Sequence, residues 1–357
     1  VKKVYLIAAG GTGGHIVPAI AVAEKIRELE PASEIFFCGV GKEIERKLIP
    51  QAGFELEEIP FPPFRGRGFK GVLEFFIAVP SGLFKALRLI KKRNVSVVFG
   101  FGGYPSFSPI FAAWLLRRPR LLHEQNQRVG LANKVLSLLS TKVFSVTRAT
   151  GFPSFVKCSE LPLPVRRSFR NIPPIESAKR SLLVIGGSQG AKTVNSAVLA
   201  SVPTLKELGI SVVHQTGPID KDRVEQEYAA QGFSGAEVLS FIDNVSERMT
   251  EATLIISRAG AMSVAEISAA RRPAIYVPLA IAGGHQRDNC KEQTDRGAAL
   301  LLEQDKDLGT DLEREVRRLF SNPELLDAMA AKLEIDRTAE ASEEILAAAA
   351  SELARGS

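Results

Sequence analysis

Three cysteines in 357 residues leave little from which to build a disulfide framework. Cys38, Cys158 and Cys290 are far apart and odd in number, and no Cys-x-x-Cys or Cys/His zinc spacing occurs. That excludes a structural zinc site and points to a reducing compartment. A membrane-spanning helix needs about 20 continuous apolar residues, and none is present. Residues 4–23 and 94–116 carry no charge, but Gly10, Gly11, Gly13 and Gly14 interrupt the first. Gly100, Gly102, Gly103, Pro105 and Pro109 interrupt the second. Each reads as a strand, a glycine loop and a helix. Lys2 and Lys3 precede an apolar run that ends after Ala9, too short for the core of a signal peptide. The expectation is a cytoplasmic chain without a span. Glycine and proline follow no strict period, which excludes a collagen-like chain.

Several nucleotide signatures are missing as well. The loop Gly10–His15 is not the dinucleotide fingerprint, because Ile16 stands where the last glycine belongs. Gly186-Gly187-Ser188-Gln189-Gly190-Ala191-Lys192 lacks Walker A spacing, which argues against ATP hydrolysis by that route. No DxD-type metal site is evident. The sequence therefore requires no cofactor, and Mg2+ is at most a stimulant of diphosphate chemistry.

What is present is an alternation of β-rich runs with amphipathic segments. Strands are expected at 4–9, 35–39, 95–100, 121–123 and 143–146, then at 182–185, 210–214, 238–241, 254–257, 274–277 and 299–302. Helical periodicity fills most gaps, for example 19–29, 132–139, 194–208 and 264–270. Strands separated by helices imply an α/β fold with parallel sheets. A proline-rich break near 161–174 is followed by a second strand and glycine loop, so two tandem doubly wound domains are expected: 1–162 and 163–340. The tail 341–357 is expected to be a helix that packs back on the first domain. Charge is unevenly spread. Residues 1–160 hold 23 Lys/Arg against 12 Asp/Glu, a net +11, whereas residues 161–357 net −5. The first half therefore expects an anionic partner.

Six loops carry the candidate chemistry. In Gly10–His15 a glycine turn exposes N–H groups at a helix start, suited to an anion, and His15 ends it at the carboxyl end of a first parallel strand. Phe99–Ser106 is a second glycine loop. His123-Glu124-Gln125-Asn126 sets four hydrogen-bonding side chains at a strand end, suited to a hydroxyl-rich ligand or to loop capping. Gly186–Ala191 resembles a phosphate loop. In Ser257–Glu266 a small-residue turn opens a helix whose N-terminus suits a diphosphate. Glu266 then either accepts from a ribose diol or complements the helix dipole. Gln286 and Asn289 are three apart, hence on one helix face, available to sugar hydroxyls or to solvent.

Taken in order, GGTGGH, GGYPS, HEQN, GGSQGA, RAGAMSVAE and HQRDN resemble the MurG family of peripheral bacterial N-acetylglucosaminyltransferases, over nearly the whole chain. The resemblance implies a GT-B architecture, two Rossmann-like domains facing an interdomain cleft, with the nucleotide sugar mainly on the second. It implies UDP-GlcNAc as donor and undecaprenyl-pyrophosphoryl-muramyl-pentapeptide as acceptor, joined by an inverting β-1,4 transfer at the inner face of the cell membrane. It also implies site residues: Thr12, Gly13 and Gly14 in the first loop, with His15 as base; should the base lie elsewhere, Glu124 is the next candidate on our own reading. Tyr104, Asn126 and Asn133 would line the cleft, and Arg166 and Ser188 would meet phosphate. Ile242 would meet uracil through its backbone. Ala261, Met262, Ser263, Val264, Ala265 and Glu266 would form the diphosphate helix and ribose carboxylate, and Gln286 and Asn289 would contact GlcNAc hydroxyls. The family usually has a small or polar residue where Leu163 precedes Pro164-Val165-Arg166 here. Competing readings are a UDP-GlcNAc 2-epimerase-like enzyme and a noncatalytic nucleotide-sugar-binding partner.

Residues 65–93 add a basic, phenylalanine-rich stretch with Glu74 its single acid: Arg65, Arg67, Lys70, Lys85, Arg88, Lys91, Lys92 and Arg93. Pro80 is expected to break or kink any helix there. Trp114 and Leu115 followed by Arg117, Arg118 and Arg120 repeat the theme. Together these suggest an interfacial patch for an anionic membrane surface, with no need of nucleic acid.

Overall fold

The computed structural model describes residues 2–59, 68–126, 129–146, 151–169, 171–187, 190–279, 285–333 and 338–355. The chain divides into two compact units, Val1–Arg167 with Arg337–Ser357, and Ser168–Asp336.

In the first unit β1 (Val4–Ala8), β2 (Glu34–Gly39), β3 (Glu55–Glu58), β4 (Val97–Gly100), β5 (Arg120–Glu124), β6 (Lys142–Ser145) and β7 (Cys158–Glu160) form one sheet. All pairings are parallel, in the order β3-β2-β1-β4-β5-β6-β7. The helices between them are α1 (Gly13–Leu29), α2 (Glu43–Gln51), α3 (Gly68–Lys92), α4 (Phe107–Leu115) and α5 (Leu131–Leu139). Every residue of β1 is buried, as a central parallel strand covered on both faces requires. Alternation then sorts its side chains. Tyr5 and Ile7 join a core with α1, whereas Leu6 and Ala8 join another with Ala86, Leu89 and Ile90 of α3 and Ile110 of α4.

The helix Thr338–Arg355 belongs to this unit. Ile345 and Ala349 enter the α1 core, and Glu343 pairs with the buried Lys25 Nζ at 2.7 Å. The first unit also keeps the strip after the last strand. Leu163 and Val165 are buried, and the Arg167 N–H donates to Glu24 Oε2 at 3.4 Å. The boundary falls at 167/168, later than the expected 162/163.

In the second unit β8 (Ser181–Ile185), β9 (Ser211–Gln215), β10 (Ala236–Leu239), β11 (Leu254–Ser257), β12 (Ala274–Tyr276) and β13 (Ala299–Leu301) order as β10-β9-β8-β11-β12-β13. Its helices are α6 (Lys192–Ala200), α7 (Val202–Glu207), α8 (Lys221–Ala230), α9 (Val245–Glu251), α10 (Ala261–Ala269), α11 (His285–Asp295), α12 (Leu308–Ser321) and α13 (Pro323–Ala331). Counted within each unit, the first sheet runs 3-2-1-4-5-6-7 and the second 3-2-1-4-5-6, the doubly wound order that places ligands outside the carboxyl ends of the strands at the point where the order reverses.

Three expectations need correction. α3 is not broken at Pro80 but continues through it. Pro80 is exposed, so water can satisfy the carbonyl whose N–H partner it removes. α1 begins at Gly13 and runs through Pro18, well before residue 19. The single helix expected over 194–208 is two, α6 and α7, parted at Ser201 just before Pro203.

Candidate active site

The first unit gathers three loops at the carboxyl ends of β1, β4 and β5. The loop after β4 passes through Gly102 and Gly103 at φ +84° and +73°, left-handed values that favour glycine. The His15 ring lies against this backbone. A Cβ on Gly102 would stand 3.4 Å from His15 Cδ2, and one on Gly103 3.5 Å from Cε1. Ser106 Oγ, buried, donates within 3.0 Å of the Ala8 and Gly102 carbonyls and so pins the loop to β1. Thr12 Oγ1 and His15 Nδ1 are hydrogen-bonded at 3.1 Å, and the ring also bonds the Gly10 backbone. Burial holds the His15 pKa below its ordinary value, opposed by the Glu124 charge and the Gly10 bond. A neutral imidazole is therefore the resting form at neutral pH, and it is the form a general base needs.

Glu124 is itself fully engaged. It accepts from the Asn126 N–H at 2.9 Å, Asn126 Nδ2 at 3.0 Å, Asn133 Nδ2 at 2.8 Å and the Gly130 N–H at 3.4 Å. A carboxylate so surrounded orients Asn126 and Asn133 and acts on His15 through its charge. Gln125 Nε2 donates to the Phe101 carbonyl at 2.8 Å, while Gln125 Oε1 and Asn133 Oδ1 are buried without partners among the described residues. His123, stacked on Phe101 with centroids 5.7 Å apart, is buried and its pKa is pushed down to about 3 by desolvation. Lys42 Nζ lies 5.6 Å from the Tyr104 ring centroid and donates to the Gly11 carbonyl at 3.2 Å.

The second unit repeats the plan with different contents. Gly190 makes room for the backbone beyond β9: a Cβ there would sit 2.1 Å from the Thr216 carbonyl oxygen. Ser188 lies outside the described residues. After β11, Arg258 Nη1 donates to the carbonyls of Val277 at 3.0 Å and Pro278 at 3.3 Å, tying the ends of β11 and β12. α10 then starts at Ala261 behind Gly260, with no side-chain cap and no acid in its first turn. Its leading N–H groups, on half-buried Ala261, Met262 and Ser263, are oriented for an anion. Val264, Ala265 and Glu266 are buried behind them.

On α11, Asn289 Nδ2 donates to the Ala259 carbonyl at 3.0 Å, and Gln286 Oε1 accepts from the Leu279 N–H at 3.0 Å. Both side chains therefore border the β11 and β12 loops, as expected of neighbours on one face. Ile242 is buried and forms no backbone hydrogen bond among the described residues. Arg166 belongs to the first unit.

Sequence reasoning missed three groups. Glu45 and Gln215 latch the two glycine loops. A buried chain links Tyr228 Oη, His214, Asn195 and Asp220, with His214 pushed down to about 3 by burial. Only the polar residues in otherwise apolar segments hinted at it. Among the described residues no group of three or more His, Cys, Asp or Glu could hold a metal ion.

Residues 5–145 match the Glycosyltransferase family 28 N-terminal domain, and residues 181–345 match its C-terminal domain. A UDP-N-acetylglucosamine--N-acetylmuramyl-(pentapeptide) pyrophosphoryl-undecaprenol N-acetylglucosamine transferase of Nitratidesulfovibrio vulgaris is 39% identical over 335 residues, 91% of each chain. One of the same name from Anaeromyxobacter is 36% identical over 91% of this chain and 87% of its own. The chain belongs to the MurG transferases of glycosyltransferase family 28. MurG of Acinetobacter baumannii superposes with TM-score 0.74 at 29% identity, covering 98% of this chain and all of its own. The two units are thus the two domains of a GT-B glycosyltransferase. A UDP-N-acetylglucosamine 2-epimerase of Listeria monocytogenes reaches TM-score 0.70 at 15% identity, a likeness of fold alone.

The basic stretch is also revised. Residues 60–67 and the side chains of 68–78 lie outside the described structure, Arg65, Arg67 and Lys70 among them. Arg93 is an ion-pair hub, held by Glu55 and, at 3.1 Å, by Glu57, with its guanidinium over Phe36. Arg118 and Arg120 bond Asn94 and the Leu139 carbonyl. Arg88, Lys91, Lys92 and Arg117 are exposed, as are Phe84, Trp114 and Leu115. Leu131, Val135 and Leu138 add an exposed apolar stripe along α5 that the sequence reading passed over. No described helix is long and apolar enough to cross a membrane.

Proposed function

We propose that this chain transfers N-acetylglucosamine from UDP-GlcNAc to the C4 hydroxyl of lipid-linked N-acetylmuramyl-pentapeptide, with inversion. The observation that carries the reading is that one chain holds a neutral, backbone-buttressed His15 in its first unit and an uncapped α10 N-terminus in its second, and is 39% identical to a transferase of that name. His15 takes the acceptor hydroxyl proton as the oxygen attacks the anomeric carbon. Thr12 and Gly102–Gly103 hold the ring, and Glu124 favours the imidazolium that forms. As UDP leaves, charge grows on the diphosphate, and the N–H groups of Ala261 to Ser263 stabilise it. Glu266 takes the ribose hydroxyls, Ile242 offers backbone groups to uracil, and Gln286 and Asn289 border the sugar. Thr12, Gly13, Gly14, Tyr104, Asn126 and Asn133 serve the acceptor; Arg166 and Ser188 serve phosphate.

The same proposal extends to the membrane. Phe84, Trp114 and Leu115 beside Arg88, Lys91, Lys92 and Arg117 form an apolar and basic face suited to an anionic bilayer that presents the acceptor. This seats the protein peripherally at the cytoplasmic face. UDP release from UDP-GlcNAc, measured with and without the lipid-linked acceptor, tests the reading. Release that requires the acceptor is expected; release or epimerisation independent of it contradicts transfer.

A further inference from the structure

Both units place a glycine loop after their first strand, and in both a side chain latches that loop to the neighbouring strand end. The latches have opposite polarity. In the first unit the latch is Glu45, fully buried on α2. It accepts from the N–H groups of Gly11 at 2.7 Å, Val40 at 2.8 Å, Gly41 at 2.8 Å and Lys42 at 3.2 Å. Gly10 and Gly39 leave it room: a Cβ on either would lie 2.4 Å from one of its carboxylate oxygens. In the second unit the latch is Gln215, at the end of β9, whose Nε2 donates to the Gly187 and Ser240 carbonyls at 2.9 and 3.1 Å. The first latch consumes N–H groups and the second consumes carbonyls.

Backbone N–H groups at the end of a first parallel strand are what a phosphate seeks. We propose that Glu45 is a built-in anion. It fills the N–H nest between the β1 and β2 loops, closes that nest to phosphate groups, and holds the Gly10–His15 loop in register. Glu45 is thus a positioning residue, acting through the loop that bears Thr12 and His15; this part rests on the transferase reading above.

The test uses two replacements of Glu45 in the full chain. Glu45→Gln keeps the size but sets an NH2 group against N–H donors. Its kcat at saturating substrates is expected to fall at least about tenfold, with the KM for UDP-GlcNAc within about twofold, because the donor is read by the second unit. Glu45→Ala vacates the nest. Sodium formate is expected to raise its kcat several-fold, whereas sodium chloride at equal ionic strength leaves it low and Glu45→Gln does not respond to either. Parent-like kcat in both variants overturns the proposal. So does a Glu45→Ala enzyme for which formate and chloride are indistinguishable, since the carboxylate would then only fill space. If neither variant folds, Gly39→Ala presses on the carboxylate from outside the substrate loops. It is expected to lower kcat with unchanged donor KM, and parent-like kcat in that variant is equally fatal. A parent chain without acceptor-dependent turnover contradicts the transferase reading instead. The latch is then read from thermal unfolding of Glu45→Ala, whose Tm formate should raise above its value in chloride; equal Tm values overturn it.

Discussion

Replacing Asn133 by aspartate puts a second carboxyl group where the amide now donates to Glu124 Oε2 at 2.8 Å. Two ionised oxygens at that distance repel by about 6 kcal/mol at an effective dielectric near 20. The alternative is to keep one carboxyl protonated, which lets it donate as the amide did. Holding an aspartate of ordinary pKa near 3.9 protonated costs about 1.4 kcal/mol per pH unit above that value, so about 1.5 kcal/mol at pH 5 and about 5.6 kcal/mol at pH 8. Protonation is clearly cheaper at pH 5, and the two costs nearly meet at pH 8. The folded state then binds more protons than the unfolded state, so stability falls as pH rises. The loss caused by Asn133→Asp should grow by about 4 kcal/mol between pH 5 and pH 8. The single tryptophan, Trp114, lies in the first unit and reports its unfolding in urea without interference from the second. Parent and variant are compared at each pH, so contributions from buried histidines cancel. An equal loss at both pH values would refute the Glu124–Asn133 pairing.

Glu266→Ala should raise the KM for UDP-GlcNAc by roughly 10–100-fold, the worth of about 1.5–3 kcal/mol of charge-assisted hydrogen bonding; unchanged donor affinity in calorimetry sinks the ribose assignment. His15→Ala should lower kcat by about 10²–10⁴-fold. In the parent the acid limb of kcat/KM should lie below the ordinary histidine range, and Glu124→Gln should move it lower still, since Glu124 opposes the lowering. An acid limb that ignores Glu124 argues against His15 as base. His123 has its folded pKa pushed to about 3, so the folded state resists protonation and stability is lost as pH falls from about 6.5 toward 3. His123→Phe should therefore lose about 2 kcal/mol less than the parent between pH 7.5 and pH 5, read from urea midpoints; identical pH dependence would contradict the burial argument. Neutralising Arg88, Lys91, Lys92 and Arg117 together should weaken sedimentation with anionic vesicles at low salt and spare UDP-GlcNAc binding. Equal sedimentation of mutant and parent would remove this face as the anchor.

Loops after strands were the most legible part of the sequence, because glycine pairs flanked by an apolar run and a helix have few other uses. Thr12 Oγ1 and His15 Nδ1 are hydrogen-bonded, and Asn289 and Gln286 border the loops after β11 and β12. β3 was missed because Glu55-Leu56-Glu57-Glu58 is an acidic edge strand with one apolar residue, Leu56, on the core, its carboxylates held by Arg93 from the end of α3. β7 was missed because Cys158-Ser159-Glu160 is short and sits at the other edge. Glu45 was illegible for a different reason. Its partners are backbone N–H groups of Gly11, Val40, Gly41 and Lys42, and a helix-start glutamate looks like any other first-turn acid until the chain brings the β1 loop to it. Arg93 read as one more cation in a basic run, and only the fold sets it beside Glu55 and Glu57.

The central claim is an inverting transfer to a lipid-linked sugar, and the product tests it most directly. The purified chain, UDP-GlcNAc and the undecaprenyl-pyrophosphoryl-muramyl-pentapeptide should give UDP and a disaccharide whose linkage, read by NMR of the released glycan, is β from GlcNAc to C4 of the muramyl residue. An α linkage, attachment at another hydroxyl, or recovery of only free or epimerised N-acetylhexosamine would contradict the account.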